Sequence, residues 1–345
     1  EIGHVRGASQ DHSRIIRLSY HTPDYVELAK HAYRAWAEVE EDAGEKLIIQ
    51  TGGLDLWPAD PPYPMSLYTD SMDAAGVVYE RLTAAEVMQR WPQFQLSDDV
   101  VGIYQADGGI ATPNRSNAAH LRLAGENGAS TRENAAVTLI EPSGDRVAIV
   151  AGDVRYVCRH LVIAAGAWSN KALAFFNRQL HLTVTQEQVT YYDSPDTAAF
   201  MPNRFPVWIW MDEPSFYGFP VFGEAGPKVA QDVGGDIVTA DSRTFQTNKA
   251  TLARTEAFLA QVIPDILGDQ IYTKTCLYSM PPDRNFVLST LPEQSNVSIA
   301  IGAGHAYKFA SLIGRILSQL ALDGRTDYNI EPFHIDRPIL LEADP

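Results

Sequence analysis

Apolar positions along the chain recur with two periods, and the changes between them mark out the elements. From Tyr25 through Leu28, Ala29, Ala32, Ala35, Trp36 and Val39 they return every three or four residues, the repeat of one helix face. Thr22-Pro23 just ahead supplies an N-cap and a proline at the first helical position, so a helix is predicted to about Glu41 with Trp36 in the core. Phe309, Leu312, Ile313, Ile316, Leu317 and Leu320 repeat the pattern near the other end, with Gly314 expected to admit close approach of a neighbour. Further helices are predicted over 84–90, ending at Trp91-Pro92, over 113–127, from Ser169 onward, and over 247–263.

Short apolar runs bounded by glycine and polar residues read as strands. They fall within 46–57 around Thr51-Gly52-Gly53, at 101–105, at 137–140, 147–150 and 154–157 with a hairpin flavour around Ser143-Gly144-Asp145, and within 160–168. Between 180 and 238 the runs 182–192, 207–211, 216–221 and 227–233 have hairpin spacing and predict a separate, mostly antiparallel sheet, and 271–278 leads on into the carboxyl-terminal stretch. Alternating α/β segments with this inserted β-rich block give an α/β (α+β) fold in two discontinuous domains. One comprises 1–45, 110–180 and 283–345, the other 46–109 and 181–282.

The densest chemistry lies in 273–322. The apolar run 297–301 predicts a buried strand ending at Gly302-Ala303-Gly304, and a helix follows with Lys308 in its first turn. Strand, glycine turn and helix N-terminus place free N–H groups and positive dipole at one point. A lysine there points to an anionic partner, or else to a solvated side chain on a packing helix. Arg17, in Arg14-Ile15-Ile16-Arg17, either holds a carboxylate or forms a surface ion pair.

The 345 residues are 45% hydrophobic, enough for a large core, and carry a net charge of −16, which argues against nucleic acid and anionic membrane surfaces as partners. No apolar run approaches a membrane span, and no signal peptide is read at the start. Cys158 and Cys276 are far apart, with no metal-ligand spacing. They suit a reducing cytoplasm, with a single disulfide left open, and no metal is expected.

CLYSMPPDRNF followed by IGAGHAYKFASLIGRILSQLALDG resembles the carboxyl-terminal signature of the monomeric sarcosine oxidase and N-methyltryptophan oxidase family. SQDHSRIIR, HLVIAAGAWSNKAL and YGFPVFGEAGPK agree in order and spacing, so the resemblance covers nearly the whole chain. It implies an FAD-binding Rossmann-like domain beside a substrate domain, and an oxidase of secondary amines that releases an imine and hydrogen peroxide. The substrate would be a small N-substituted amino acid and the acceptor molecular oxygen, in a cytoplasmic monomer.

By the same resemblance Cys276 would hold the flavin covalently. Tyr278, Arg17 and Lys308 would bind the substrate carboxylate, Tyr217 would line its pocket, and Lys228 would lie at the flavin face where oxygen is reduced. Ala303, Gly304 and His305 would face the flavin pyrimidine, Arg14 its other face, and Val137, Gly166 and Trp168 would run along the cofactor. Where sarcosine oxidases carry histidines this chain has Gln10 and Asp232, and the acid is expected to favour a substrate with an extra cationic or hydroxylated group. The family's opening G-x-G-x-x-G unit has no match. The sequence is read as starting after the second strand of that unit, with Glu1 as the ribose-binding acid. It is then either part of an active oxidase or a shortened, flavin-poor remnant that binds a small carboxylate or a partner chain.

Overall fold

In the computed structural model, which describes residues 1–341, the first helix begins at its expected cap. Thr22 is extended, its hydroxyl accepts the Tyr25 N–H, and the helix Pro23–Ala43 follows. Tyr25, Val26, Leu28, Ala29, Ala32, Ala35 and Trp36 are buried, while Val39 is only half-buried. This face shares a core with Phe309, Leu312, Ile316, Leu317 and Leu320 of the carboxyl-terminal stretch. The helix Ala310–Asp323 does not use Gly314 for packing, because a Cβ there would meet nothing within 4 Å. The expected close approach is therefore replaced by open space on the side of a cavity that Gly314 lines.

A nine-stranded sheet joins Gly53–Trp57, Glu80–Thr83 and Val101–Gln105 to six strands between Thr183 and Met280. All its pairs are antiparallel except Val207–Trp210 against Gly53–Trp57. Thr183–Asp193 and Asp269–Met280 pair along their length, which sets Cys276 opposite Glu187 and Tyr278 opposite Thr185. A smaller sheet lays Leu161–Ile163 parallel to Gln294–Ile301, with Val287–Leu291 antiparallel on the other side. Arg14–Ile16, Gly109–Ala111 and Ile48–Gln50 form another, and Val137–Ser143, Arg146–Ala151 and Val154–Cys158 a meander.

The stretch 46–57 divides between two sheets. Gly52 turns the chain at φ 76°, and a Cβ there would lie 2.5 Å from the Tyr104 ring, so only glycine fits. Ile48–Gln50 consequently bonds to Gly109–Ala111 rather than continuing into the large sheet. The helix Met65–Ala74 had no clear signal behind its proline-rich approach. The predicted helix at 247 starts at Lys249, since the Asn248 side chain accepts the Ala250 and Thr251 N–H groups. The strand predicted to run from 160 to the glycine at 166 is limited to Leu161–Ile163, and Gly166–Trp168 winds into a 3-10 turn before the short helix Ser169–Leu173. No helix among the described residues is long and apolar enough to cross a membrane.

Candidate active site

The parallel strands Leu161–Ile163 and Gln294–Ile301 end side by side, and small residues take each chain away, Ala164-Ala165-Gly166-Ala167 after one and Gly302-Ala303-Gly304 after the other. The carboxyl ends of such strands are where α/β sheets bind ligands. A cavity of about 2440 Å³ opens there, against roughly 300–1,000 Å³ for a usual small-molecule pocket. Glu1, Arg14, Arg17, Gly166, Trp168, Tyr217, Tyr278, Ala303, Gly304, His305 and Lys308 all line it.

In the glycine turn the Gly302 carbonyl accepts the N–H groups of His305 and Ala306, while those of Ala303 and Gly304 find no acceptor among the described residues. Gly304 has φ 80°, and a Cβ on it would lie 2.6 Å from the Tyr278 ring, so the turn and the tyrosine seat each other. His305 Nε2 is 3.0 Å from the Arg284 carbonyl. A carbonyl only accepts, so Nε2 carries the proton and Nδ1 is the free acceptor. Burial first, then the Lys308 charge, push the His305 pKa down to about 3, and the ring is neutral.

Lys308, Arg17, Arg14 and Arg284 reach the cavity, and all but Lys308 are already partnered. Arg17 Nη1 donates to both Asp55 oxygens, at 2.9 and 2.8 Å. Arg14 donates to the carbonyls of Ala8, Gln10 and Ser13, each at 2.8 Å. Arg284 lies 3.2 Å from Asp232, so the acid expected to favour a cationic or hydroxylated substrate group is paired within the chain. Lys308 has no carboxylate within ion-pair distance among the described residues, and its ammonium lies 5.7 Å from the Tyr20 ring. Burial and the Arg17 charge push its pKa down to about 7, against the pull of Asp232 and Asp55. Its carbonyl is fixed by the Trp36 indole N–H at 2.7 Å. Tyr217 and Tyr278 bring their hydroxyls 3.5 Å apart beside these cations.

Three expected site residues stand elsewhere. Lys228 is fully buried behind the cavity wall, donating to Asp11 at 3.1 Å and the Ser13 carbonyl at 2.8 Å, with the ring of Phe219, a wall residue, 4.0 Å away. Cys276 borders an adjoining void of about 20 Å³, roughly the room of one water, which shares Gln10, Arg14, Tyr217 and Tyr278 with the large cavity. Burial pushes its thiol up to about 11, with Arg14 pulling the other way. Val137 is 51% exposed on the meander, and it is Ala135 and Ala136 that border the cavity, because the strand start turns the valine outward. Glu1 is exposed, within 3.4 Å of Arg6.

Sequence reasoning did not single out Asp11, Asp55 or Arg284. Asp55 had a signal, an acid inside the apolar run Leu54-Asp55-Leu56-Trp57, which calls for a buried partner. Among the described residues no cluster of acids, histidines and cysteines could hold a metal.

The family described as DAO, FAD dependent oxidoreductase, matches residues 1–320. Monomeric sarcosine oxidase of Bacillus sp. (strain B-0618) is 30% identical over 349 residues, spanning 99% of this chain and 88% of its own. N-methyl-L-tryptophan oxidase of Escherichia coli O139:H28 (strain E24377A / ETEC) is 28% identical over 97% of this chain and 90% of its own. The open form of NikD, described as an unusual amino acid oxidase essential for nikkomycin biosynthesis, superposes with a TM-score of 0.85 at 26% identity, covering 96% of this chain and 88% of NikD. With a family model matched over residues 1–320 and these relatives over nearly its full length, the chain belongs to the FAD-dependent oxidoreductase family.

Proposed function

We propose that this chain is an oxidase of secondary amines, acting on N-methyl, cyclic or otherwise N-substituted amino acids to give an imine and hydrogen peroxide. The single observation that carries the reading is Lys308, a half-buried cation with no carboxylate at ion-pair distance among the described residues, beside Tyr217 and Tyr278 at the end of a flavin-sized cavity. A substrate carboxylate is the partner such a lysine lacks. The flavin ring fits the same space: the free N–H groups of Ala303 and Gly304 suit an electron-rich edge, and Tyr20 Oη and Arg17 Nε are buried polar atoms without partners. Arg14, Gly166, Trp168 and His305 would border it, and Cys276 would hold it covalently.

FAD, when bound, would supply a two-electron acceptor for the hydride equivalent lost from the carbon beside the amine, the two electrons passing on with two protons to molecular oxygen as hydrogen peroxide. The residues prepare that step. Lys308 anchors the carboxylate, with Arg17 behind it fixed by Asp55. Both cations lower the amine pKa and favour its reactive neutral form. The tyrosine hydroxyls orient the substrate, and Tyr20, Tyr25 and Tyr68 wall off water. Lys228 is the fixed positive charge for oxygen reduction, acting from behind Phe219. The same reading assigns 1–45, 110–180 and 283–345 to the cofactor unit and 46–109 and 181–282 to the substrate unit of a cytoplasmic monomer. Ile48–Gln50 pairs with Gly109–Ala111, a strand that straddles the boundary between the two units.

The test is the absorption spectrum of the purified chain before and after acid precipitation, with Cys276→Ala alongside, followed by oxygen uptake with N-methyl and cyclic amino acids. Flavin retained by the precipitate, released in the variant, and consumption of oxygen with these amines are expected. Bound flavin with no amine-dependent peroxide would overturn the reading.

A further inference from the structure

Asp11 has φ 98°, a conformation that residues with a Cβ rarely adopt, and its carboxylate is almost fully buried. The backbone is held from both sides, since its N–H donates to Asn114 Oδ1 at 3.1 Å and its carbonyl accepts the Asn114 N–H at 3.2 Å. Strain of this kind persists where the surroundings over-determine it, and here they converge on one anion. Asp11 accepts from Tyr191 Oη at 2.9 Å, Lys228 Nζ at 3.1 Å and Lys274 Nζ at 3.1 Å, with Arg14 at 3.7 Å.

Among the described residues no other carboxylate pairs with Lys228. The groups around it are Arg14 on the same segment as Asp11, Tyr191 on one long strand, and Cys276 and Lys274 on its partner. Tyr272 stacks on Tyr191, and the nearby Glu224 is taken by His12 and the Tyr272 hydroxyl. Neither Asp11 nor Lys228 lines the large cavity, although Asp11 borders the small void beside Cys276, and Phe219, whose ring covers the ammonium, lines the large one.

We propose that Asp11 is a positioning residue for Lys228, its carboxylate keeping the ammonium charged and pinned beneath Phe219, so that the reaction with oxygen depends on a residue that never touches the large cavity. This rests on the role given to Lys228 in the proposed function. Burial pushes the Lys228 pKa down to about 8 even with Asp11 in place, and Arg14 pushes the same way. Without the acid, only cations and neutral groups would face the lysine, and it would lose its proton at neutral pH.

The test compares Asp11→Asn, which keeps the shape and tolerates positive φ, with Lys228→Met and the double variant. In protein carrying 13C at lysine Cε, the Lys228 signal is identified by its loss in Lys228→Met, and its titration is read with or without flavin. In Asp11→Asn the midpoint is expected to fall by about one pH unit or more. An unchanged midpoint overturns the proposal. In the flavin-loaded enzyme, reoxidation by oxygen at pH 7.5 is expected to slow by roughly a hundredfold and to recover as pH falls through the new midpoint, while reduction by amine is unchanged. In the Lys228→Met background Asp11→Asn should add nothing.

If Lys228→Met slows reoxidation and Asp11→Asn does not, the proposal fails alone. If Lys228→Met leaves reoxidation untouched, the role of Lys228 fails, and the proposal's oxygen claim with it, while the titration still judges the charge link. Lys274→Met reads the same link without touching Asp11: with one cation fewer the Lys228 midpoint should rise, and a midpoint that stays or falls counts against the proposal even should Asp11→Asn not fold.

Discussion

At Lys308 the balance between burial and charge sets a pH dependence. Its pKa of about 7 leaves the free protein with a half-charged lysine near neutrality. An anionic ligand selects the charged form, so its affinity is full below that value and falls about tenfold per pH unit above it. We expect this profile for a small carboxylate followed by calorimetry, and a flat one in Lys308→Met, with affinity below pH 7 reduced about ten- to a hundredfold. A pH-dependent Lys308→Met would assign the titration to another group. The place of Lys308 at the cavity wall was legible because its signal is local, a strand, a glycine turn and a helix start in consecutive residues. The pairings of Arg17 with Asp55 and of Lys228 with Asp11 were not, since the partners lie 38 and 217 residues apart and only the folded sheets bring them together.

Between elements, the indole of Trp36 ties the first helix to the Lys308 carbonyl, and it is fully buried. Trp36→Phe removes that donor, leaves a buried carbonyl unpaired and opens a small gap, for an expected loss of about 1–3 kcal/mol in urea unfolding. A loss below about half a kcal/mol would mean that water replaces the indole. Gly314 makes the opposite case. It sits inside a helix with free space where a Cβ would go, so Gly314→Ala should stabilise the flavin-free chain by about 1 kcal/mol, read as a rise in melting temperature. A fall would reveal a contact after all. Helix faces and caps such as Thr22 were readable because they depend on neighbours three or four residues away. Gly314 was misread because spacing tells that a helix face is apolar, and not what lies opposite it.

Across the whole molecule, the Asp232–Arg284 pair bridges the end of the strand Lys228–Asp232 and the turn after Met280, at one side of the cavity. Sequence placed the acid in the pocket, yet its pairing depends on how the large sheet meets that turn, which no local pattern encodes. The two side chains are 31% and 44% exposed, so the pair lies in the range of about 0–1 kcal/mol and gives way readily. A substrate carrying a second cation can therefore displace Arg284 from Asp232, whereas a neutral one leaves the pair closed. In Arg284→Gln the acid is freed, and kcat/KM for an N-substituted amino acid with an extra ammonium should rise relative to its neutral isostere, by about three- to tenfold at low salt and less as ionic strength increases. Asp232→Asn should abolish the preference. A ratio that drops in Arg284→Gln would assign recognition to the guanidinium instead, and with it a substrate bearing a second carboxylate, because the same pair offers either sign of charge and only the variant separates them.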